Sequence, residues 1–511
     1  MVLASSHQAI TKVYRWTMAT HPFDWATWGR IDATELAAKL RAKDVTMSEV
    51  MHQFADAISI QNPRLNAVIE VFDDVLDDPD SSGANTDGPF YGVPILIKDM
   101  GSRIKGRDQQ IGLGFKAPDL ATEDDPLIKN FRAAGFIVCG RTAVPEDGMT
   151  LITHSIPQGT THSPFNLQHT PGGSSGGSSA AVAGGITPIC SASDGAGSIR
   201  FPAAWTGLVG LKATRGMNPL PKGLNESILA GAVEGALVRS IRDCAAVTEV
   251  LAIHRQLGRS FMPPHPPPQL IKELTVPHRK LRVGVSAEAW GSSVLVDADV
   301  LKSIEEAAGR LEALGHTIVP LQPREICDFH ALRSSFSVGE WLLPISRELM
   351  YLVDEANVPL TDENASIQLR HHLELADRYS IDDLFEAQMV TEALMRRWGD
   401  FWQSGVCDVL MSPVTPIACP EINSNYRMDS PQSFDEWSEN LFDAACYTIP
   451  ANHMGLPALS LPSGSDRNGC PIGIQLMAPW RHEHDLIHLA SHYEAAHPAL
   501  FNLARAHGIA G

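Results

Sequence analysis

The stretch from residue 170 to residue 216 reads TPGGSSGGSSAAVAGGITPICSASDGAGSIRFPAAWTGLVGLKATRG. It contains two glycine-rich turns, GGSSGG and DGAGS, which carry Ser174 and Ser198, 24 positions apart. Between them, small residues at 177–185 predict a short helix, and the apolar run at 186–193 predicts a strand. Such a helix covers about 14 Å and such a strand about 23 Å. The chain can therefore travel out and back, so that both turns meet at one edge of a sheet.

The second turn has the composition of an oxyanion-binding site. Glycine-rich turns expose backbone N–H groups, and several of them could point at one oxygen. The amides concerned are those of Gly195, Ala196, Gly197 and Ser198. A serine in this turn needs a base, because an alcohol is a weak nucleophile at neutral pH. No histidine motif is near, but Lys98 ends the apolar run GVPILIK, where burial would favour the neutral amine.

Three separated motifs of this chain resemble those of the amidase signature family of serine hydrolases. GGSSGG spans 172–177, DGAGSIR spans 194–200, and GVPILIKD spans 92–99. The spacings are also similar, with 76 residues from the lysine to the first serine and 24 between the serines. Because three motifs agree in order and spacing, the resemblance is specific, and it extends over roughly residues 30–500.

The resemblance implies a mechanism. Ser198 would attack the carbonyl carbon of an amide, Ser174 would relay the proton, and Lys98 would accept it as general base. In the family a cis peptide bond holds the relay serine, and the backbone amides of the second turn hold the oxyanion. Ser175 and Asp99 are similar to hydrogen-bonding partners that support this site. The resemblance implies no cofactor and no catalytic metal.

The second motif also contains a supporting pair and two departures from the family pattern. Asp194 and Arg200 resemble an ion pair that fixes the turn. Ala196 stands where the family usually has glycine, so its N–H is retained while its methyl group would narrow the acyl side. Ser193 replaces the usual threonine. The form SDGxGSIR resembles the branch that contains cyclic-amide hydrolases, and the substrate stays open among amides, carbamates and esters.

Alternating helical and strand-like segments predict an α/β fold. In the family the fold is a mixed, twisted central β-sheet covered by α-helices on both faces. We expect an N-terminal arm over 1–30 and a single large amidase domain over 31–505. Within it we expect a catalytic core at about 65–255 and a substrate-lining and C-terminal part at about 280–500. A proline-rich loop is predicted over 259–280.

Composition restricts the partners. The formal charge of −19 opposes binding to nucleic acid and to anionic membranes. No run of some 20 apolar residues is present, and the start lacks the features of a signal peptide. The eight cysteines are scattered without a CxxC pair, which disfavours a disulfide framework or a zinc site. We expect a cytoplasmic enzyme acting on a small-molecule amide, with a homodimer left open.

Two other functions stay open at this stage. One is the amidase subunit of a tRNA-dependent amidotransferase, against which the acidic composition argues. The other is a catalytically silent scaffold paralogue, against which the intact lysine and serines argue. Histidines 482, 484, 488 and 492 could mark a metal stripe, but we interpret them as an exposed helix face. Trp205 and Trp341 are interpreted as core residues.

Overall fold

The structure is a computed structural model that describes residues 21–221, 231–253, 266–375 and 378–502 of the chain. Most of the predicted arm (residues 1–20) and the first part of the proline-rich loop (259–265) lie outside the described residues. The end of the arm packs on the body of the protein. Trp28 is buried, and the Phe23 amide donates a hydrogen bond to Gln53 Oε1 at 3.3 Å.

Within the described ranges, eleven strands form one mixed sheet, and two more form a small antiparallel pair. The strands are β1 Val68–Val71, β2 Pro94–Lys98, β3 Ile137–Thr142, β4 His154–Ser155, β5 Gly159–Thr160, β6 Ile189–Asp194, β7 Val209–Lys212, β8 Val233–Val238, β9 Arg282–Val285, β10 Thr317–Pro320, β11 Val409–Pro413, β12 Ala458–Ser465 and β13 Pro471–Met477. The order in the large sheet is β1-β3-β2-β6-β8-β7-β12-β13-β11-β9-β10.

The strand directions are mixed, as predicted. Strand β2 runs parallel to both β3 and β6, and β9 runs parallel to β10 and β11. The strands from β6 through β8, β7, β12 and β13 to β11 alternate in direction. Strand β2 is buried along its whole length, which agrees with its continuous apolar sequence, because a strand covered on both faces needs no polar alternation.

The helices connect and cover these strands. They are α1 Trp25–Trp28, α2 Ala33–Ala42, α3 Met47–Leu65, α4 Asp73–Asp77, α5 Pro126–Ala133, α6 Gly176–Ala183, α7 Arg200–Thr206, α8 Ile241–Leu251, α9 Leu270–Glu273, α10 Ala298–Ala313, α11 Pro323–Ile326, α12 Phe329–Phe336, α13 Leu343–Ala356, α14 Ile367–Glu374, α15 Ile381–Gln403, α16 Phe434–Ala444, α17 Ile449–His453, α18 Glu483–Ala496 and α19 Pro498–Phe501. A π-helical segment, Ser337–Leu342, joins α12 to α13.

The predicted elements around the two serine turns are confirmed. The helix expected over 177–185 is α6, and the strand expected over 186–193 is β6. Helix α6 is buried at every position, which explains why small residues fill it. The sequence did not predict β7, β8 and β10, whose short apolar runs resemble fragments of buried helix.

Apolar side chains pack into two large clusters. One contains residues from α3, β2, β3 and α6, and the other contains residues from α12, α15, α16 and α17. Helices α7 and α10 both pack on β12 and β13. Among the described residues, none of the helices combines the length and the apolar character needed to cross a lipid bilayer.

One sequence prediction about α18 is wrong. The histidines of this helix were expected on an exposed face, but His488 is completely buried. The helix packs against α8, α9 and β12, so the side that carries His488 faces the protein. Histidines 482 and 484 remain partly exposed.

Candidate active site

The site lies at the edge of the sheet where β2 and β6 end. These strands are parallel neighbours, with Leu96 paired to Cys190, so their carboxyl ends meet at the same edge. Lys98 is the last residue of β2, and Asp194 is the last residue of β6. The Lys98 amide donates to Ser191 Oγ at 2.8 Å, which fixes the end of β2 against its neighbour.

The Lys98 side chain reaches both the first serine turn and the end of β6. Its Nζ lies 2.7 Å from Ser174 Oγ and 2.9 Å from Ser193 Oγ. Lys98 is only 1% exposed. The peptide bond between Gly173 and Ser174 is cis. The lysine amine and the Ser174 hydroxyl are thus within hydrogen-bonding distance in a site shielded from water.

Burial lowers the pKa of Lys98 to about 7, although the carboxylates of Asp194 and Glu234 act in the opposite direction. Removing an ammonium group from water disfavours its charged form. A large fraction of Lys98 is therefore neutral at neutral pH, which is the form that can accept a proton.

The Asp194 carboxylate organises the second serine turn. It accepts hydrogen bonds from the amides of Gly197 at 2.7 Å and Ile199 at 3.1 Å. Arg200 donates to the same carboxylate from Nε at 2.9 Å and from a terminal nitrogen at 2.8 Å. Burial alone would raise the pKa of Asp194, but the Arg200 charge and these hydrogen bonds hold it at about 2. The turn therefore closes around a permanent buried carboxylate.

Arg200 also ties this turn to the distant C-terminal part of the chain. Its guanidinium donates to Gln475 Oε1 at 2.6 Å, to the Thr448 carbonyl at 2.9 Å and to Asn452 Oδ1. Asn452 in turn donates to the Asp194 carbonyl at 2.8 Å. Since Asp194 and Arg200 are both fully buried, these partners satisfy charges that would otherwise be costly in the interior.

Ser198 is the last of the four residues whose backbone amides are predicted to bind an oxyanion. Among the described residues, nothing accepts a hydrogen bond from the amides of Gly195, Ala196 or Ser198. The Gly197 amide, which was also predicted to face the oxyanion, is turned toward the Asp194 carboxylate instead. Within the described ranges, three of the four amides thus have no hydrogen-bond partner.

Residue 197 must be glycine, whereas residue 196 need not be. Gly197 has φ +133°, and a Cβ there would lie 2.5 Å from the Phe201 ring. Ala196 is not among the residues with positive φ, so the alanine that departs from the family pattern fits without strain. Its carbonyl accepts a hydrogen bond from Thr448 Oγ1 at 2.6 Å.

A cavity opens beside Ser198, and its walls are mainly apolar. The residues that line it come from both parts of the chain: Gly148, Met149, Thr150, Leu151, Gly173, Ala196, Ser198, Phe201, Trp341, Leu441, Phe442, Ala445 and Ile449. Trp341 is half-buried in this wall and packs against the second apolar cluster, with its ring 6.1 Å from that of Phe442, so it borders both the core and the cavity. Trp205 is buried and stacks on Phe201 with ring centroids 5.8 Å apart, which confirms it as a core residue.

The π-helical segment Ser337–Leu342 places Trp341 in the wall of the cavity. The carboxylate of the preceding residue, Glu340, forms a hydrogen bond with His453 Nδ1 at 2.8 Å. The same carboxylate forms an ion pair with the Arg215 guanidinium at 3.4 Å. These contacts hold one side of the segment while Trp341 faces the cavity. Such wide turns inside helices are often found at functional sites.

The two supporting residues outside the turn take different positions. The Ser175 hydroxyl donates to the Ser193 carbonyl at 3.3 Å and lies 3.4 Å from the Ser193 amide, so it joins the first turn to β6. The Asp99 carboxylate accepts from Gln158 at 2.9 Å, with Arg141 at 3.8 Å. Burial raises the pKa of Asp99 to about 7. Asp99 supports the end of β2 and does not line the cavity.

The family model described as Amidase matches residues 49–487 of the chain. The chain belongs to the amidase signature family. The chain is 31% identical over 491 residues to a 6-aminohexanoate-cyclic-dimer hydrolase of Paenarthrobacter ureafaciens, a match that covers 91% of this chain and 95% of that one. It is 32% identical over 479 residues to a putative amidase, AmiA2, of Mycobacterium tuberculosis, covering 90% and 92%.

Solved structures of the amidase signature family have the same fold. A 6-aminohexanoate cyclic dimer hydrolase complexed with substrate superposes with a TM-score of 0.82 at 29% identity. The match covers 92% of this chain and 98% of that chain. The eleven-stranded mixed sheet and its helices are therefore the fold of this family.

Sequence reasoning on this amidase-family chain missed several residues of the site. Ser193 appeared only as a replacement for threonine, although its hydroxyl contacts Lys98. Its position next to Asp194 was the one available signal. Gln475 and Asn452 are separated from Arg200 by 275 and 252 positions, and no local pattern connects them to it. Glu234 was missed because a lone acid in a strand is usually an exposed residue.

Proposed function

We propose that this chain is an amidohydrolase that cleaves the C–N bond of a small-molecule amide through an acyl-enzyme on Ser198. The observation that carries the proposal is the buried contact between Lys98 Nζ and Ser174 Oγ at 2.7 Å. Burial lowers the pKa of that lysine to about 7. A lysine can act as a general base at neutral pH only when its pKa is lowered in this way, and here the lowered amine is also in contact with a serine hydroxyl.

In the acylation step, Ser198 Oγ attacks the carbonyl carbon of the amide. Its proton passes to Ser174 Oγ, whose own proton passes to Lys98 Nζ. Lys98 then returns a proton through Ser174 to the nitrogen of the leaving amine, and the C–N bond breaks. Water repeats the sequence on the acyl-enzyme and releases the acid, which restores the neutral lysine.

The negative charge that develops on the carbonyl oxygen would be stabilised by backbone amides. We assign this role to the amides of Gly195, Ala196 and Ser198. The Gly197 amide helps indirectly, because its bond to Asp194 at 2.7 Å keeps the turn open toward the cavity. Donors fixed before the reaction starts stabilise such a charge most effectively.

The cavity beside Ser198 favours an uncharged substrate with an aliphatic or aromatic body. Its walls include Trp341, Phe442 and Ile449, and burying a charge against such side chains is unfavourable. Two relatives are named for hydrolysis of the cyclic dimer of 6-aminohexanoate, so cyclic and linear aliphatic amides are the first compounds to test. We retain the interpretation of one amidase domain over 31–505 and of a cytoplasmic enzyme.

The proposal is tested with a panel of amides and with a fluorophosphonate that labels activated serines. Wild-type protein should hydrolyse at least one amide and be labelled covalently. Ser198→Ala should abolish both, because loss of the nucleophile typically costs a factor on the order of 10⁶. Ser174→Ala should slow turnover by several orders of magnitude but keep slow labelling, since the attacking oxygen is still present.

Ser59→Ala is the matched control, because Ser59 lies on α3 and its hydroxyl donates, within the described part of the chain, to the Ala55 carbonyl of its own helix. It should behave as wild type in both assays. Folded wild-type protein that neither reacts with the probe nor hydrolyses any amide would instead support a silent scaffold. Hydrolysis that persists in pure Ser198→Ala protein would show that another residue is the nucleophile.

A further inference from the structure

Three histidines from two segments converge at a place separate from the active-site cavity. His278 lies in the segment before β9, and His488 and His492 lie one turn apart on α18. One ring nitrogen from each lies within 4.8 Å of the others. None of the three lines the cavity beside Ser198. The convergence needs an explanation that catalysis does not supply.

The hydrogen bonds of two of these histidines fix which ring nitrogen carries a proton. His278 Nε2 lies 2.8 Å from the Leu314 carbonyl, and His492 Nδ1 lies 2.9 Å from the His488 carbonyl. A carbonyl only accepts, so both of these nitrogens must be protonated. The lone pairs are therefore on Nδ1 of His278 and Nε2 of His492. A backbone carbonyl that holds the second ring nitrogen is the usual arrangement for a metal-binding histidine.

His488 is prepared in a similar way by a carboxylate. It is completely buried, and its Nδ1 has no hydrogen-bond partner among the described residues. Glu273 Oε2 lies 3.7 Å from that nitrogen. Nε2 accepts a hydrogen bond of 3.2 Å from the Arg279 amide, so its lone pair is directed at that N–H group. A cation at Nε2 would have to displace this hydrogen bond, and Glu273 would orient the protonated Nδ1.

The guanidinium next to His488 is balanced by a carboxylate. The Arg279 guanidinium is paired with Asp485 at 2.5 Å and does not leave an uncompensated positive charge. His278 is exposed and His492 half-buried, which gives an ion a path from solvent.

We propose that His278, His488 and His492 form a binding site for a divalent transition-metal ion that prefers imidazole nitrogen, with Zn²⁺ as the probe. Three histidines leave one or more coordination positions for water, and metal–nitrogen distances near 2.0–2.1 Å require the rings to close in slightly. Such an ion would link the segment before β9 to α18. It would stabilise the C-terminal part of the protein and take no part in the reaction at Ser198.

Two nearby sets of residues are not part of the proposed metal site: His316, and the group formed by His482, His484 and Asp485. His316 contacts His278 edge-on with centroids 4.8 Å apart, but it does not belong to the group whose ring nitrogens lie within 4.8 Å of one another. His482 is bonded to Asp485 at 2.8 Å, and Asp485 is already paired with Arg279. His484, which lies beside that pair, is the informative comparison.

The test is titration of chelator-treated, full-length protein with Zn²⁺, followed by calorimetry and by the thermal unfolding midpoint. We expect one equivalent of Zn²⁺ to bind wild type and to raise the midpoint. His278→Gln and His492→Gln should each weaken binding by at least about tenfold and reduce the shift in the midpoint. His330→Gln, on the exposed side of α12, is the control and should bind as wild type.

Two outcomes would overturn the proposal. One is folded wild-type protein, with an unchanged circular dichroism spectrum after chelation, that binds no Zn²⁺ at about 100 μM, well above typical metal-site dissociation constants. The other is binding that His484→Gln removes while His278→Gln does not, which would place the ion at the neighbouring group. Labelling of Ser198 should be the same with and without Zn²⁺, so failure of this site and failure of the proposed hydrolase activity are distinguishable.

Discussion

At the scale of single residues, Lys98 decides whether the proposed reaction runs. Its amine is buried between two serine hydroxyls, and its pKa of about 7 places the change from ammonium to amine near neutral pH. The form that accepts a proton exists above this pKa. The protonation state of one side chain therefore sets the pH range of activity.

We predict that kcat/KM falls as the pH drops through about 7, by about tenfold for each further pH unit. Lys98→Met should lose activity by several orders of magnitude at every pH, because a thioether cannot accept the proton. The measurement is kcat/KM from pH 5.5 to 9 for both proteins. A Lys98→Met protein with near wild-type activity and the same acidic limb would remove the lysine from the mechanism.

Glu234 should shift that acidic limb. Its carboxylate raises the pKa of Lys98, and it is held in place by the Ser102 amide at 2.7 Å. Burial raises the pKa of Glu234 itself to about 7. In Glu234→Gln the favourable charge is gone, so the acidic limb should move to lower pH, by roughly 0.5 to 1 unit.

The same kcat/KM profile measures this shift. Asp99→Asn is the comparison, because burial also raises the pKa of Asp99 to about 7, although its charge is absent from the causes that shift Lys98. Its limb should stay in place. If the acidic limb moves in Asp99→Asn but not in Glu234→Gln, then Asp99 and not Glu234 shifts the pKa of Lys98, and the prediction is wrong.

At the scale of elements, the loop between β6 and α7 is held by one buried ion pair. Asp194 ends the strand, Arg200 begins the helix, and the two are 2.8 Å apart with no exposure. Arg200 continues to α17 and β13 through Asn452 and Gln475. The turn that carries Ser198 thus depends on elements that lie more than two hundred residues away in the chain.

Asp194→Asn should destabilise the protein strongly, because it leaves the Arg200 charge buried without its partner. Breaking a buried pair in this way costs about 3–5 kcal/mol of unfolding free energy. It should also remove activity, since the Gly197 amide loses its charged acceptor. The urea-unfolding midpoint and fluorophosphonate labelling measure the two effects.

The control for this change is Glu439→Gln, which breaks the pair with Arg333 at 2.7 Å, where the glutamate is 66% exposed. An exposed pair contributes less than about 1 kcal/mol, so its midpoint should hardly move. Equal losses in the two variants would mean that the buried pair does not hold the turn.

At the scale of the whole molecule, the interior contains a second buried lysine that the reaction does not use. Lys212 ends β7, is fully buried and donates to the Ala213 carbonyl at 3.0 Å. Burial and the charge of Arg200 lower its pKa to about 7. In the unfolded chain this lysine titrates near 10.5. Between these values the unfolded state binds more protons, so the stability contributed by Lys212 rises with pH and is lost as the pH falls toward 7.

Wild type should therefore gain more stability between pH 7 and 8.5 than Lys212→Met, by on the order of 1–2 kcal/mol. Buried carboxyls such as Glu146, whose pKa burial raises to about 7, act in the opposite direction in both proteins and cancel in the comparison. Urea-unfolding midpoints at the two pH values measure the difference. Lys302→Met is the control, because Lys302 is 73% exposed. If the unfolding free energy of Lys212→Met changes with pH as much as that of wild type, the prediction is wrong.

The sequence alone determined the α/β class and the two serine turns. Glycine-rich turns, a helix of small residues and an apolar strand are local features, and each has a conformational cause that a few neighbouring residues contain. It also determined the family, because the order and spacing of three motifs are themselves sequence properties. Lys98 could be proposed as base from the apolar run before it, since such a run predicts a buried strand.

The tertiary structure alone decided which distant groups complete the site. Gln475 reaches Arg200 because β13 lies in the same sheet as β6, and Asn452 reaches it from α17. Trp341 reaches the cavity through a wide helical turn whose shape depends on the contact between Glu340 and His453. His488 is buried because α18 packs on α8 and β12, although its helical spacing resembled an exposed face. Such contacts depend on packing between segments, and the residues on each side carry no sign of their partner.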